Sequence, residues 1–359
     1  MTNQWWQQPV KNLNADILEQ AQLHQNMLTK PQGSLGRIEE CAVKLCAMQN
    51  TLTPNVDNTL ISIFAGDHGI ATKGVSAFPQ AVTVEMLRNF VKGGAAISVL
   101  AKHHEADLEV VNCGTALPLD FSEEELAAIR HCSVDDGTQD FSQQVAMTEE
   151  QAQSALKIGA DLIDEKHQQQ SLSLFIGGEM GIGNTTSASA IACALLKLDA
   201  EKMVGRGTGI DDETLLRKTE LINQALARHS LVEAIEQKNI LAIGAEVGGF
   251  EILALAGAYI RCAQLGVPVL VDGFITTAAA LLAVNLNGKA RDWMMFSHQS
   301  HEQGHQRLLS ALSAQPLLDL NLRLGEGSGA ALALSLLQQS CVLHNQMATF
   351  ADAGVSEQD

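Results

Sequence analysis

Five short, largely apolar runs, each separated from the next by helical stretches, constrain the fold of this chain most. They cover residues 59–65, 108–112, 171–176, 267–271 and 293–296. Strands joined by helical crossovers form a parallel sheet covered on both faces, with right-handed connections. The spacing predicts helices over 12–49, broken at Lys30-Pro31-Gln32-Gly33-Ser34-Leu35-Gly36, and over 80–102, 187–196, 248–264, 276–284 and 302–312. Ser122 and Thr148 each precede a capping-box pattern, the second helix reaching about His167, and Asp211-Asp212 opens another helix. The helix over 248–264 is crowded with Ala and Gly, which suits close packing.

In such sheets ligands gather beyond the carboxyl ends of the strands. The polar and glycine-rich clusters all follow predicted strands: Gly66-Asp67-His68-Gly69, the 177–186 loop, Asp272-Gly273-Phe274 and Ser297-His298. They are expected to converge on one crevice.

The formal charge of -18 argues against nucleic-acid binding, which needs a basic surface. The seven cysteines contain no C-x-x-C pair and lie mostly in apolar runs, so they read as reduced core residues. The N-terminus lacks the basic and apolar regions of a signal peptide, and no apolar run is long enough to span a bilayer. A soluble cytoplasmic protein is expected.

The 177–186 loop has the setting of a phosphate cradle made of backbone amides, though it is neither a Walker loop nor a clean G-x-G-x-x-G. Tight helix–sheet packing explains the glycines equally well. Glu179 would repel phosphate but suits a cationic ring or a ribose hydroxyl. A second glycine loop, Gly205-Arg206-Gly207-Thr208-Gly209, precedes Lys218, which reads either as a phosphate ligand or as a solvated surface lysine.

Glu326 stands between Gly325 and Gly327, ahead of the apolar helical run Ala331-Leu332-Ala333-Leu334. It is either a general base, with a pKa set between burial and the helix N-terminus, or a capping carboxylate. His301-Glu302-Gln303-Gly304-His305 formally matches the H-E-x-x-H zinc motif, but Gly304 weakens the helix it needs and no third ligand follows. No G-x-S-x-G elbow surrounds Ser76, which argues against a serine hydrolase.

Taken in order, these segments resemble the nicotinate-nucleotide–dimethylbenzimidazole phosphoribosyltransferase family of cobalamin biosynthesis. The resemblance rests on Lys30-Pro31-Gln32-Gly33-Ser34-Leu35-Gly36, Ala65-Gly66-Asp67-His68-Gly69-Ile70, Gly74-Val75-Ser76, Val82-Thr83-Val84-Glu85-Met86 and Gly93-Gly94-Ala95-Ala96-Ile97. It continues through Gly178-Glu179-Met180-Gly181-Ile182-Gly183-Asn184-Thr185-Thr186, Gly205-Arg206-Gly207-Thr208-Gly209, Asp272-Gly273-Phe274-Ile275, Glu302-Gln303-Gly304-His305 and Leu324-Gly325-Glu326-Gly327-Ser328-Gly329-Ala330. Each segment is weak alone; the ordered set spans nearly the whole chain and is specific.

The resemblance implies an α/β fold with a Rossmann-like parallel sheet. A large domain over 51–304 would carry most of the active site, and residues 1–50 with 305–359 would form a small helical domain. It implies a homodimer acting on small molecules, with no cofactor or metal. The reaction would pass phosphoribose from nicotinate mononucleotide to 5,6-dimethylbenzimidazole with inversion at C1'. Glu326 would be the general base and Glu179 the second catalytic glutamate. Gly178, Gly181, Ile182, Gly183, Asn184, Thr185, Gly207, Lys218 and Ser300 would hold the nucleotide and its phosphate. Ser76, Glu85, Met86 and Leu324 would hold the base. Family members often carry Gln where this chain has Glu85, which exchanges a donor for an acceptor, and Ser328 replaces the commoner Thr. A non-catalytic nucleotide- or azole-binding protein on the same fold is the alternative, and a metal hydrolase is a third.

Overall fold

The computed structural model describes residues 4–205, 209 and 211–356. Helices α1 (Ala15–Met27) and α2 (Arg37–Gln49) precede strand β1 (Thr59–Gly66). Next come α3 (Ala81–Val91), α4 (Ala96–His103), β2 (Asp107–Gly114), α5 (Glu123–Ala127) and β3 (Ile129–His131). The long α6 (Glu149–Gln170) leads into β4 (Leu174–Met180). Between β4 and β5 run α7 (Asn184–Leu196), α8 (Asp212–Leu226), α9 (His229–Gln237), α10 (Ile240–Val247) and α11 (Phe250–Leu265). Then come β5 (Val269–Val271), α12 (Phe274–Leu286), β6 (Met294–His298), α13 (His305–Ala311) and β7 (Pro316–Leu318). Helices α14 (Ser328–Gln346) and α15 (Phe350–Ala353) end the chain.

The strands form a single parallel sheet in the order β3-β2-β1-β4-β5-β6-β7. The chain reverses its direction of winding between β1 and β4, so the crevice at a topological switch point opens above these two strands. Alternate side chains feed two cores. Leu60, Phe64, Val111, Phe175, Val269 and Val271 face α6, α11, α12 and α7. Ile61, Ile63, Val110, Leu174, Ile176 and Leu270 face the side carrying α2, α4 and α14.

The edge strands β3 and β7 are additions to the expected set of five. Each is three residues long, too short to show a period of two, and Pro316 is tolerated in β7 because that strand lies at an edge. Residues 305–318, expected with the terminal helices, instead supply α13 against α12 and this edge strand. The predicted 80–102 helix is two helices, parted at Gly93-Gly94. Helix α1 packs on α2, and α2 on α14, with Leu28 and Thr349 paired through a β-bridge.

The Ala/Gly-rich α11 is buried on every side and packs along α6. A methyl group on Gly159 would stand 1.8 Å from the Ala254 carbonyl oxygen, and one on Gly257 1.9 Å from that of Leu156. The two backbones therefore touch at both crossings. None of the seven cysteines is paired; six are buried and Cys132 is partly exposed. No helix among the described residues is long and apolar enough to cross a membrane. We expect G159A or G257A to cost at least about 1–3 kcal/mol through overpacking. A fall in the urea unfolding midpoint at unchanged m-value would record this, and an unchanged midpoint would refute the contact.

Candidate active site

A cavity of about 370 Å³ opens at the carboxyl ends of β4, β5 and β6. One wall is β4 and the loop after it. Strand β4 runs on through Gly177, Gly178 and Glu179 to Met180, so these residues are in the strand rather than the expected loop, which is reduced to residues 181–183. Gly178 does not line the cavity. It is glycine because the Glu326 turn rests on it: a methyl there would stand 2.6 Å from the Glu326 carbonyl carbon and oxygen.

The 181–183 loop is tied down from behind. Thr83 donates its hydroxyl to Asp67 Oδ1 (2.7 Å), and Thr83 Oγ1 accepts from the Ile182 amide (3.2 Å). His68, expected in the crevice, is fully buried beneath the loop with its Nε2 2.7 Å from Glu251 Oε1 and its Nδ1 2.9 Å from Ser187 Oγ. This Ser–His–Glu chain faces no part of the cavity and joins the ends of β1, α7 and α11.

Lys218 reaches the cavity from α8 with its side chain buried, and its Nζ donates to Thr185 Oγ1 at 2.9 Å. Burial lowers its pKa to about 8, opposed by the nearby Glu302 carboxylate. Ser300 and Glu302, after β6, line the same cavity. A buried ammonium beside a hydroxyl and a glycine loop has the chemistry of a phosphate site.

Against β4, the wall also carries Glu326. It precedes α14 with φ +63°, and the glycines on either side also have positive φ, 86° and 77°. A non-glycine residue held there stores strain of the kind found at functional sites. Helix α14 has Gly327 at its N-cap and so no side-chain cap, and the carboxylate of Asp272 replaces one by accepting from the Ala330 amide at 2.7 Å. Asp272 itself is flanked by His298, whose Nδ1 lies 3.8 Å away. Burial, with Asp272 close by, raises the Glu326 pKa to about 7. The helix N-terminus would lower it, so desolvation dominates.

Glu179 is also buried in the cavity wall, where it accepts from the Asn184 side-chain amide and from the Glu326 backbone amide. Burial first, then repulsion from Glu251, Asp272 and Glu326, raises its pKa to about 8.

Ser76, Met86 and Leu324 lie around the mouth and apolar side of the cavity, with Val75, Phe78 and Val82. Glu85 does not join them. Val82 and Met86 share one face of α3, and Glu85, turned about 100° from Met86, is exposed to solvent. Gly207 lies outside the described residues. Asp272, Thr276, His298, Glu302 and Phe274 line the cavity without having been assigned roles beforehand. The strand-end rule located their segments, but not which side chains turn inward. His301 is exposed and His305 buried, so the formal zinc motif assembles no ligand set; the helix it needs begins only at His305. Among the described residues no group of three or more His, Cys, Asp or Glu is placed to hold a metal.

Fold and cavity together define an α/β enzyme whose cavity carries a buried ammonium beside a glycine loop and, elsewhere on its wall, two buried carboxyls. A phosphoribosyltransferase family model matches residues 10–355. The nicotinate-nucleotide–dimethylbenzimidazole phosphoribosyltransferases of Pseudomonas putida W619 and Pseudomonas aeruginosa LESB58 are 52% and 51% identical over 357 residues, 99% of this chain and of each relative. The crystal structure of the Thermus thermophilus protein of that name superposes with a TM-score of 0.89 at 39% identity, covering 96% of this chain and all of the other. The chain belongs to the nicotinate-nucleotide–dimethylbenzimidazole phosphoribosyltransferase family.

The raised pKa of Glu179 fixes the sign of a stability effect. The folded state keeps this proton up to about pH 8, whereas an unfolded chain releases it near the ordinary 4.5. The stabilisation is complete below 4.5 and is lost as pH rises toward 8. We expect E179Q, which does not titrate, to gain stability relative to wild type between pH 5 and pH 8. Urea unfolding at both pH values tests this; a difference that stays constant with pH would show that the carboxyl is not held protonated.

Proposed function

We propose that the chain transfers the phosphoribosyl group of nicotinate mononucleotide to 5,6-dimethylbenzimidazole or a related base. The products are α-ribazole 5'-phosphate and nicotinate, used in building the nucleotide loop of cobalamin. The names of the full-length relatives support the substrates. The observation that carries the chemistry is Glu326, a carboxyl held in a left-handed turn on the cavity wall with its pKa raised to about 7.

The nucleotide phosphate lies against Lys218, Thr185, Ser300 and the amides of Gly181, Ile182, Gly183 and Asn184. Arrival of a dianion beside Lys218 offsets its burial and keeps it charged. The base enters among Ser76, Met86 and Leu324, on the apolar side. Its free nitrogen attacks C1' from the face opposite nicotinate, forming the new N–C1' bond as the bond to the pyridinium nitrogen breaks. Nicotinate leaves with that electron pair and needs no acid. Glu326 takes the proton from the other azole nitrogen, which makes the ring a better nucleophile, and later yields it to solvent. A base whose pKa lies near the working pH suits this task. Glu179 stands beside the reacting ribose and holds the Glu326 backbone in place.

We further propose that the enzyme works in the cytoplasm as a homodimer, a reading supported by its family likeness. The terminal helices α1, α2 and α14 would form the small domain, with 51–304 and the β7 edge in the large one.

Incubation with nicotinate mononucleotide and dimethylbenzimidazole should yield α-ribazole phosphate. No product would favour the non-catalytic binding protein. E326Q should lower kcat by about 10²-fold or more while leaving nicotinate mononucleotide affinity nearly unchanged. Because the base acts ionised, kcat should rise with pH through an inflection near 7 and level off above it, and E326Q should lose that limb. A pH-independent kcat, or near-normal turnover by E326Q, would remove Glu326 from the role.

A further inference from the structure

The His301-Glu302-Gln303-Gly304-His305 segment brings no two of its His and Glu side chains together as a ligand set, and His305 is among the most buried polar residues. Its ring lies between the loop after β6 and helix α12. The Ser300 amide meets His305 Nδ1 at 2.8 Å, and Nε2 lies 3.0 Å from Thr277 Oγ1. A backbone N–H only donates, so Nδ1 must be the bare acceptor. The ring is therefore neutral, with its proton on Nε2 and directed at Thr277. Burial, aided by His298, lowers the pKa of His305 to about 3, so this tautomer persists at any working pH.

The loop is pinned on both sides of Ser300: Gln299 donates to the Leu318 carbonyl (2.8 Å) and His301 to that of Leu322 (2.9 Å). At Ser300 itself the partner is an imidazole in place of a carbonyl. Ser300 Oγ accepts from the Glu302 amide at 3.3 Å, which leaves its hydroxyl proton for a ligand in the cavity it lines.

We propose that His305 is a positioning residue: its bare Nδ1 holds the Ser300 amide and thereby aims the Ser300 hydroxyl at the substrate phosphate. This rests on the phosphate placement proposed above. Leucine at 305 removes the acceptor. Asparagine places its amide oxygen where Nδ1 stands, whereas glutamine reaches the Nε2 position and serves Thr277 alone.

Steady-state kinetics should show KM for nicotinate mononucleotide raised about ten-fold in H305L, as expected for loss of one buried hydrogen bond, with kcat within about three-fold and KM for the base unchanged. H305N should recover most of the loss and H305Q should not. S300A should show the same KM effect, and S300A/H305L should be no worse than S300A. Calorimetric binding of inorganic phosphate to the same variants should rank them identically. That arm stands even if wild type forms no α-ribazole phosphate, which would count against the transferase reading and not against the phosphate site. If H305L fails to fold, the comparison of H305N with H305Q decides. Equal values for those two, additive losses in the double variant, or wild-type KM in H305L would overturn the proposal.

Discussion

The active site depends on one backbone contact, where the Glu326 turn rests on Gly178 in β4. Nothing larger than hydrogen fits between them. The contact brings the end of a central strand against the approach to the last long helix, and both partners are rigid. Strand β4 is hydrogen-bonded on both sides, to β1 and β5, and α14 is anchored through Ala330 to Asp272 at the end of β5. Glu326 is thus held by the sheet at two neighbouring strand ends, which is how a left-handed glutamate is kept in place. A site built on such elements keeps its geometry better than one carried on loops alone.

The same arrangement confines several ionisable groups in little space. Glu179, Asp272 and Glu326 have raised pKa values through burial, and Lys218 a lowered one. Each would be more comfortable in water. The fold retains them because a group that is already desolvated, and already pointed, changes its charge state readily when substrate supplies or removes a neighbour. The carboxyls sit together on one part of the cavity wall. The ammonium sits with Thr185 beside the glycine loop. Stability is given up at the place where chemistry needs it.

Much of this was legible in the sequence. The parallel sheet followed from strand runs separated by helices, and the strand-end rule brought the 177–186 loop, Asp272 and His298 to one crevice, whereas Glu326 and Lys218 were joined to it by the family resemblance. Other features depend on directions a single chain does not declare. Glu179 belongs to a strand because β4 continues through two glycines, and glycines read locally as a loop. His68 follows a strand, as a crevice residue should, yet turns beneath the loop to Glu251 and Ser187. Glu85 and Met86 are adjacent in sequence, but a helix sends one to solvent and the other to the cavity. The edge strands β3 and β7 are recognisable only by the partner beside each.

Six of the seven cysteines are buried, and the mouth of the cavity carries two exposed apolar side chains, Phe78 and Leu324. Burial pushes the thiols up, that of Cys46 to about 12, so thiol reagents meet little native competition beyond Cys132. A single cysteine introduced at position 78 could thus carry a fluorophore at the entrance while the interior stays untouched. The chain is by its own packing a nearly silent background for watching a substrate enter and a product leave, one molecule at a time.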